Sequence, residues 1–240
     1  MTARYAIYYA PGPDTLFHTL GANWLGRDAW TDAAVSQPVL HNIAGLTTEP
    51  RRYGFHATLK APFQLSRTKY RKDLSIFSED FARRHAPVML PKLRLAALDG
   101  FLALLPETEP DHLHELAACC VMDFDGFRGP LHPDEIARRT RSGLNLRQNR
   151  LLLNWGYPHV LDQFRFHMTL SNKLAPPEMA RLKAEAEIHF APVIGVPLRI
   201  DAITIFCEAE AGAPFRAEER FTLTAKADHA WPEIWKLGVR

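Results

Sequence analysis

Two short segments of the chain alternate apolar and polar residues in the same way. The first runs from Tyr53 to Leu59, the second runs from Phe164 to Leu170, and both contain Phe-His-x-Thr-Leu. Successive side chains of a β-strand point to opposite faces of the sheet, so each segment predicts a strand with one apolar and one polar face. The polar faces would carry two sets of functional groups: Gly54, His56, Thr58 and Lys60 in the first strand, and Arg165, His167 and Thr169 in the second.

The chain repeats the same order of elements after each segment. In both halves the pattern predicts a helix, a strand, a Gly-containing turn and another strand. The predicted ranges are 68–85, 88–98 and 101–105 after the first segment, and 176–189, 197–208 and 215–224 after the second. A duplicated α+β architecture follows, with one domain over 1–240, an N-terminal lobe of about 1–125 and a C-terminal lobe of about 126–240. A groove between the lobes would explain the narrow polar faces.

The remaining segments predict further elements around this scaffold. A first strand is expected over 4–9, and an amphipathic helix over 111–124. The segment 14–45 has no counterpart in the second half and is expected to be a mostly helical insertion. A second long helix, basic on one side, is expected over 136–153. Its basic run consists of Arg138, Arg139, Arg141, Arg147 and Arg150. Such a run is typical of a solvated helix face, and the alternative is that part of it contacts phosphate.

Composition and charge exclude several classes of protein. Apolar residues make up 47% of the 240, enough for a sizeable core, and a net charge of +2 disfavours a protein that coats nucleic acid. Three cysteines do not make a disulfide framework and suit a reducing compartment. With neither a leader pattern in the first ten residues nor an apolar run long enough for a bilayer, we expect a cytoplasmic protein with no membrane contact.

The two histidines suit the opening of a cyclic phosphodiester. That reaction needs a base for the attacking water and an acid for the departing oxygen, and imidazole serves either role near neutral pH. The threonine hydroxyls of Thr58 and Thr169 can hydrogen-bond the non-bridging oxygens. Arg165 and Lys60 are candidates to add positive potential.

The paired motifs resemble those of the 2H phosphoesterase superfamily. The strings over 24–30, 52–63 and 164–170 are similar to its DUF1045-type branch, whose members are often encoded beside carbon–phosphorus lyase genes. The resemblance implies antiparallel sheets around a central groove with helices outside, His56 and His167 as acid and base, and both threonines as phosphate ligands. It further implies a small substrate, 5-phosphoribosyl 1,2-cyclic phosphate. Five residues are candidates to hold its second phosphate or its sugar: Arg52, Arg141, Arg147, Tyr53 and Tyr157.

Other functions remain open at this point. The same fold could act on RNA ends, with 2′,3′-cyclic phosphates or 2′,5′ linkages as substrates, or serve as a non-catalytic nucleotide-binding module. A metallohydrolase is a third alternative, but His112, His114 and Glu115 are more typical of a solvated helix start than of metal ligands, because i and i+2 residues of a helix do not face each other. We therefore expect no metal, no cofactor and no obligate protein partner.

Overall fold

The computed structural model describes residues 3–141 and 143–226, which combine helices with antiparallel sheet. The strands are β1 Arg4–Tyr9, β2 Ala57–Gln64, β3 Val88–Leu90, β4 Leu93–Leu98, β5 Phe101–Pro106, β6 Met168–Lys173, β7 Leu198–Ile200, β8 Ala202–Glu208 and β9 Arg216–Thr222. The helices are α1 Leu16–Leu25, α2 Ile43–Leu46, α3 Thr48–Tyr53, α4 Arg71–Arg84, α5 Asp111–Asp123, α6 Pro133–Thr140, α7 Leu146–Trp155 and α8 Pro176–His189. The predicted α+β class is confirmed.

Seven of the strands form one sheet in the order β4-β5-β6-β2-β1-β8-β9, and every neighbouring pair is antiparallel. The strands that follow the two histidines, β2 and β6, are neighbours at its centre and pair at Ala57 and Met168. The short strands β3 and β7 pair with each other in a separate sheet. The two similar segments of the chain therefore meet in space.

The halves of the chain interleave in this sheet. Strands β4 and β5 precede residue 125 but extend the sheet beside β6, while β8 and β9 follow it but lie beside β1. The order strand, helix, strand, strand is present in both halves, as predicted. A boundary near residue 125 nevertheless does not separate the halves of the sheet, because β5 of the first half pairs with β6 of the second, and β8 of the second half pairs with β1 of the first.

Helices cover the apolar face of the sheet. Helix α5 packs on β2, α4 on β8 and β9, and α8 on β4 and β5. One continuous core lies between these layers, and its strand residues are almost fully buried. They include Ile7, Leu59, Met168 and Leu170. The polar groups of the motif strands are left on the opposite face.

Three predicted elements differ from the observed ones. The strands expected over 88–98 and 197–208 each divide in two, the first at Pro91, which has no N–H to donate to a ladder. The helix expected over 136–153 is two helices, α6 and α7, with Gly143 at φ +80° between them and Asn145 capping the second. In all three cases the predicted type of element is observed, and the difference is a local break within it.

The segment 14–45 is less helical than predicted. Only α1 and α2 lie within or at the end of it, because Gly26 ends α1 with a φ of +78° and the chain from 27 to 42 contains no helix. Trp24 fixes the segment to the sheet, since its buried indole N–H donates to the carbonyl of Leu170 at 2.9 Å. The segment therefore buttresses β6 from the core side.

Two further expectations concern the described residues. All three cysteines are buried and free, in line with the absence of a disulfide framework. Within 3–141 and 143–226, no helix has the length and apolar character needed to cross a membrane.

Candidate active site

The polar face of the sheet carries a groove built from two adjoining cavities of about 850 and 190 Å³. His56 and Thr169 line the larger cavity, His167 lines the smaller, and Thr58 and Tyr157 border both. The β2–β6 pairing thus brings together the two histidines and two threonines that the sequence singled out.

The two imidazoles are oriented by the same contact. Nδ1 of His56 lies 2.9 Å from the carbonyl oxygen of Gly54, and Nδ1 of His167 lies 2.9 Å from that of Arg165. A carbonyl only accepts, so in each ring Nδ1 carries the proton that is donated. The Nε2 atoms of the neutral rings are then unprotonated, and that of His56 lies 3.3 Å from Oγ1 of Thr58.

Gly54 is required for the position of its carbonyl. Its φ is +78°, a conformation that residues with a side chain rarely adopt, and an added Cβ would lie 2.5 Å from the Cβ of Ala29. The corresponding residue of the second motif is Arg165, so the two strands reach the same imidazole contact from different backbones.

Burial keeps both imidazoles neutral at pH 7. It lowers the pKa of His56 to about 4, with a smaller contribution from the charge of nearby His167. The ring of Tyr8 stacks on that of His56 with centroids 3.8 Å apart. Burial also lowers the pKa of His167, against the opposing effect of its contact with the Arg165 carbonyl.

The prediction for Lys60 was wrong. The pairing of β1 with β2 shifts register on both sides of the Ile7–Lys60 pair, so Lys60 lies on the core face while Thr58 lies on the groove face. Its Nζ donates to the carbonyl of Val121 at 2.7 Å and lies 3.2 Å from Asp125. Burial lowers the pKa of Lys60 to about 8. The alternation rule failed because β2 is bulged.

One end of the groove, next to His56, is rich in arginine. We call it the arginine end and define it by the four arginines that line it: Arg4, Arg52, Arg138 and Arg139. Arg4 and Arg52 both form ion pairs with the fully buried carboxylate of Glu208. Tyr53, which also lines this end, places its ring 6.3 Å from that of His56.

The other end, next to His167, is mostly apolar. It is lined by Leu98, Phe101, Val160 and Phe164, together with the exposed Arg165. The ring of Phe101 lies 5.7 Å from that of His167. Tyr157 stands between the two ends, with the guanidinium of Arg139 5.0 Å above its ring.

Two predicted phosphate ligands lie outside the groove. The guanidinium of Arg147 is paired with Asp162, with Nε 3.0 Å from Oδ1, and that of Arg141 bends back to the carbonyl of Ala137. Tyr8 and Arg4 also line the groove, and the sequence patterns did not predict them as site residues. Alternation places Arg4 and Tyr8 on the same face of β1, which could have indicated them as neighbours of the motif strand. Their roles depend on their contacts in the folded chain, which are His56 for Tyr8 and Glu208 for Arg4.

Within 3–141 and 143–226 no group of three or more His, Cys, Asp or Glu side chains is arranged to hold a metal ion. The polar groups that line the groove are imidazoles, hydroxyls, guanidiniums and one amide.

Comparison with known proteins shows similarity along nearly the whole chain. Over 236 residues it is 39% identical to the ribose 1,5-bisphosphate phosphokinase PhnN of Janthinobacterium sp. (strain Marseille), covering 95% of this chain and 52% of that protein. The protein of the same name from Laribacter hongkongensis (strain HLHK9) is 36% identical over 215 residues, which are 89% of this chain and 50% of that protein. The chain therefore spans about half the length of these curated relatives.

Several solved structures share a distant likeness. They include E. coli LigT complexed with NADP+ (15% identity, TM-score 0.45, 93% of this chain and 99% of that one) and a phosphoesterase (14%, 0.43, 92% and 99%). Likeness at these TM-scores carries no argument about activity. The family model described as "Protein of unknown function (DUF1045)" matches residues 58–216, most of the chain, which confirms the family expected from the motifs. The chain belongs to the DUF1045 family.

Proposed function

We propose that this protein is a phosphodiesterase that opens a small cyclic phosphate ester by general acid–base catalysis with His56 and His167. The observation that carries the proposal is the matched pair of imidazoles. Each ring donates from Nδ1 to the carbonyl two residues earlier, so each presents Nε2 for proton transfer beside the same groove. Two such groups supply the base and the acid that ring opening needs.

The reaction balances with these two side chains alone. The neutral histidine takes a proton from water as the water oxygen bonds to phosphorus, and the protonated histidine gives its proton to the departing ring oxygen as the P–O bond breaks. The product is a phosphomonoester with a free hydroxyl, and the two imidazoles exchange protonation states. The hydroxyl of Thr169 donates to a non-bridging oxygen, where negative charge accumulates, and that of Thr58 does so when it turns from Nε2 of His56 to the bound substrate.

The substrate we propose is 5-phosphoribosyl 1,2-cyclic phosphate. The family resemblance supports it, as does the name of the curated relatives, which concerns a phosphorylated ribose. We carry over only that substrate class. The relatives are about twice as long, and this sequence has no G-x-x-x-x-G-K-[ST] loop of the kind that cradles nucleotide phosphates. A phosphorylated sugar and three free thiols both fit a cytoplasmic location.

A turnover assay tests the proposal. The protein is incubated with 5-phosphoribosyl 1,2-cyclic phosphate or with 2′,3′-cyclic nucleotides, with EDTA present, and the phosphorus NMR spectrum is followed. We expect the ribosyl substrate to be converted to a phosphomonoester at the same rate with and without the chelator. Turnover of the cyclic nucleotides alone would overturn the substrate, and dependence on added metal would overturn the mechanism.

One observation supports a second candidate, hydrolysis of 2′,3′-cyclic phosphates at RNA ends. The apolar lining next to His167, with Phe101 and Phe164, could receive a base. That candidate predicts salt-sensitive binding of short RNA and faster turnover of cyclic-ended oligonucleotides than of the ribosyl substrate.

A further inference from the structure

We infer that the arginine end of the groove is a binding subsite for a phosphomonoester dianion, separate from the phosphodiester that lies between the histidines. This inference deepens the proposed function, because it assigns a site to the phosphate that does not react. It concerns how the substrate is chosen and held, whereas the histidines and threonines concern how it is cleaved.

The charge balance of the arginine end points to a dianion. Four guanidiniums line it, and two carboxylates accompany them: Glu208 pairs with Arg4 and Arg52, and Glu135 lies 2.7 Å from Arg139 and 4.0 Å from Arg138. Counted over the described residues, two positive charges are left over. None of the described residues that line this cavity is acidic. A phosphomonoester carries between one and a half and two negative charges at pH 7, roughly what the site lacks.

The guanidinium of Arg52 is fixed before any ligand binds. Glu208 is fully buried and also accepts a hydrogen bond from the N–H of Gly212 at 3.0 Å, so the carboxylate itself is held in place. Nε of Arg52 donates to the carbonyl of Gly212 at 3.2 Å, and its guanidinium lies 5.1 Å from the centre of the Tyr53 ring. An arginine held in this way binds phosphate without a large loss of side-chain entropy.

The ion pairs at this end remain charged. The pKa of Glu208 is lowered by the hydrogen bond from Arg4, by that from the Gly212 N–H and by the charges of both arginines, against the opposing effect of burial. The hydrogen bond to Glu208 raises the pKa of Arg4. One buried carboxylate thus holds two cations together at this end of the groove.

The position of the subsite fits a pentose. The guanidinium of Arg52 lies 5.1 Å from the centre of the Tyr53 ring, and the imidazole of His56 lies 6.3 Å from the same centre, so both groups are near one aromatic ring. A five-membered sugar that carries a cyclic phosphate on one side and a phosphomonoester on the other spans a similar distance. The reacting diester has one negative charge, and the threonines hydrogen-bond its oxygens. Four arginines therefore provide more positive charge than the diester alone requires.

Binding of a non-reacting ligand tests the subsite directly. Calorimetry with ribose 5-phosphate, inorganic phosphate and ribose should show binding of the first, weaker binding of the second and none of the third. In Arg52→Gln and Arg138→Gln we expect the Kd of ribose 5-phosphate to rise about tenfold or more, the usual loss for a charge-assisted hydrogen bond. The matched control is Arg141→Gln, which changes an arginine just beyond α6 that does not line this end.

Two outcomes would overturn the subsite. One is that ribose 5-phosphate binds no better than ribose, and the other is that the Arg141→Gln control weakens binding as much as Arg138→Gln does. Misfolding does not confuse the result, because the side chain of Arg138 is 70% exposed and its replacement leaves the core untouched.

Kinetics separate this inference from the proposed function. For wild type we expect kcat/KM about 100-fold higher for 5-phosphoribosyl 1,2-cyclic phosphate than for ribose 1,2-cyclic phosphate, which lacks the second phosphate. Arg138→Gln and Arg52→Gln should reduce only the first value. Equal reduction of both would overturn the subsite while leaving the hydrolase intact. Ribose 5-phosphate binding without any turnover would overturn the hydrolase and leave the subsite.

Discussion

The two ends of the groove have the same imidazole geometry in different surroundings. His56 and His167 each donate to the carbonyl two residues earlier at 2.9 Å. His56 is stacked on Tyr8 and adjoins the arginine end, whereas His167 lies near Phe101 in a cavity whose lining is mostly apolar but also includes His159, Gln163 and Arg165. The repeated motifs supply two imidazoles with the same geometry. The residues around them are not repeated, and they make one end of the groove different from the other. The proposed substrate, with a phosphomonoester at one end only, would therefore bind in one orientation.

The largest expected effect comes from removing either imidazole. We expect His56→Ala and His167→Ala each to lower kcat by about 10³-fold, since each removes a proton-transfer group, and the double variant to lose little more. Initial rates on a cyclic phosphate measure it, with His41→Ala, an exposed histidine, as the control. Near-normal rates in either single variant would show that the two histidines are not both required for catalysis.

The same pair of variants can distinguish the acid from the base. On a diester with a nitrophenolate leaving group, which departs without protonation, the variant that lacks the acid should recover most of its rate while the other should not.

The pH dependence gives the next largest effect. The free enzyme must hold one neutral and one protonated imidazole, and the two titrate as a coupled pair. Because burial lowers the pKa of both, that of His56 to about 4, the singly protonated pair is most populated between about pH 4 and the lowered pKa of His167. We expect kcat/KM to peak in that range and to fall about tenfold per pH unit above it. The assay uses a cyclic diester without a second phosphate, whose own charge does not change.

A variant of the stacking ring sharpens this test. Tyr8→Leu should admit water to His56, raise its pKa and move the optimum upward, whereas Phe101→Leu should act only through His167. An optimum above pH 7.5 in wild type would contradict the depressed pKa values.

The smallest effect is expected for the threonines. Thr58→Val and Thr169→Val should each lower kcat about tenfold, the loss of one hydrogen bond to a charged oxygen. The loss should be greater for Thr58, because its hydroxyl also contacts Nε2 of His56. Thr204→Val is the matched control, since that buried hydroxyl has no hydrogen-bond partner among the described residues. Equal rates for all three variants would exclude phosphate contacts by the threonines.

Much of the fold follows from local patterns. Helix α8 spans the predicted residues, opened by Pro176 and Pro177, and the turn at Asp99 and Gly100 joins β4 to β5 as their positive φ values require. The core faces were also predictable at the start of each motif strand, because Ala57 and Leu59 are buried on either side of Thr58, and Met168 and Leu170 on either side of Thr169. These features depend on residues a few positions apart.

The parts that could not be predicted depend on distant contacts. Arg4 and its partner Glu208 are 204 positions apart, so no spacing rule connects them. The interleaved order of the strands is likewise set by which edges meet in three dimensions. Lys60 was assigned to the groove because alternation assumes a regular strand, and the shifts in its pairing with β1 are visible only in the folded sheet.

The interleaved sheet has a consequence for how the chain could be divided. A cut in the exposed connection near Gly143 would leave β6 without its neighbour β5 in one fragment, and β1 without β8 in the other. Neither fragment could complete its own sheet or bury its apolar face, but each carries the strands that the other lacks. The two pieces would therefore reassociate as complementary partners, and the catalytic pair would be regenerated only in their complex.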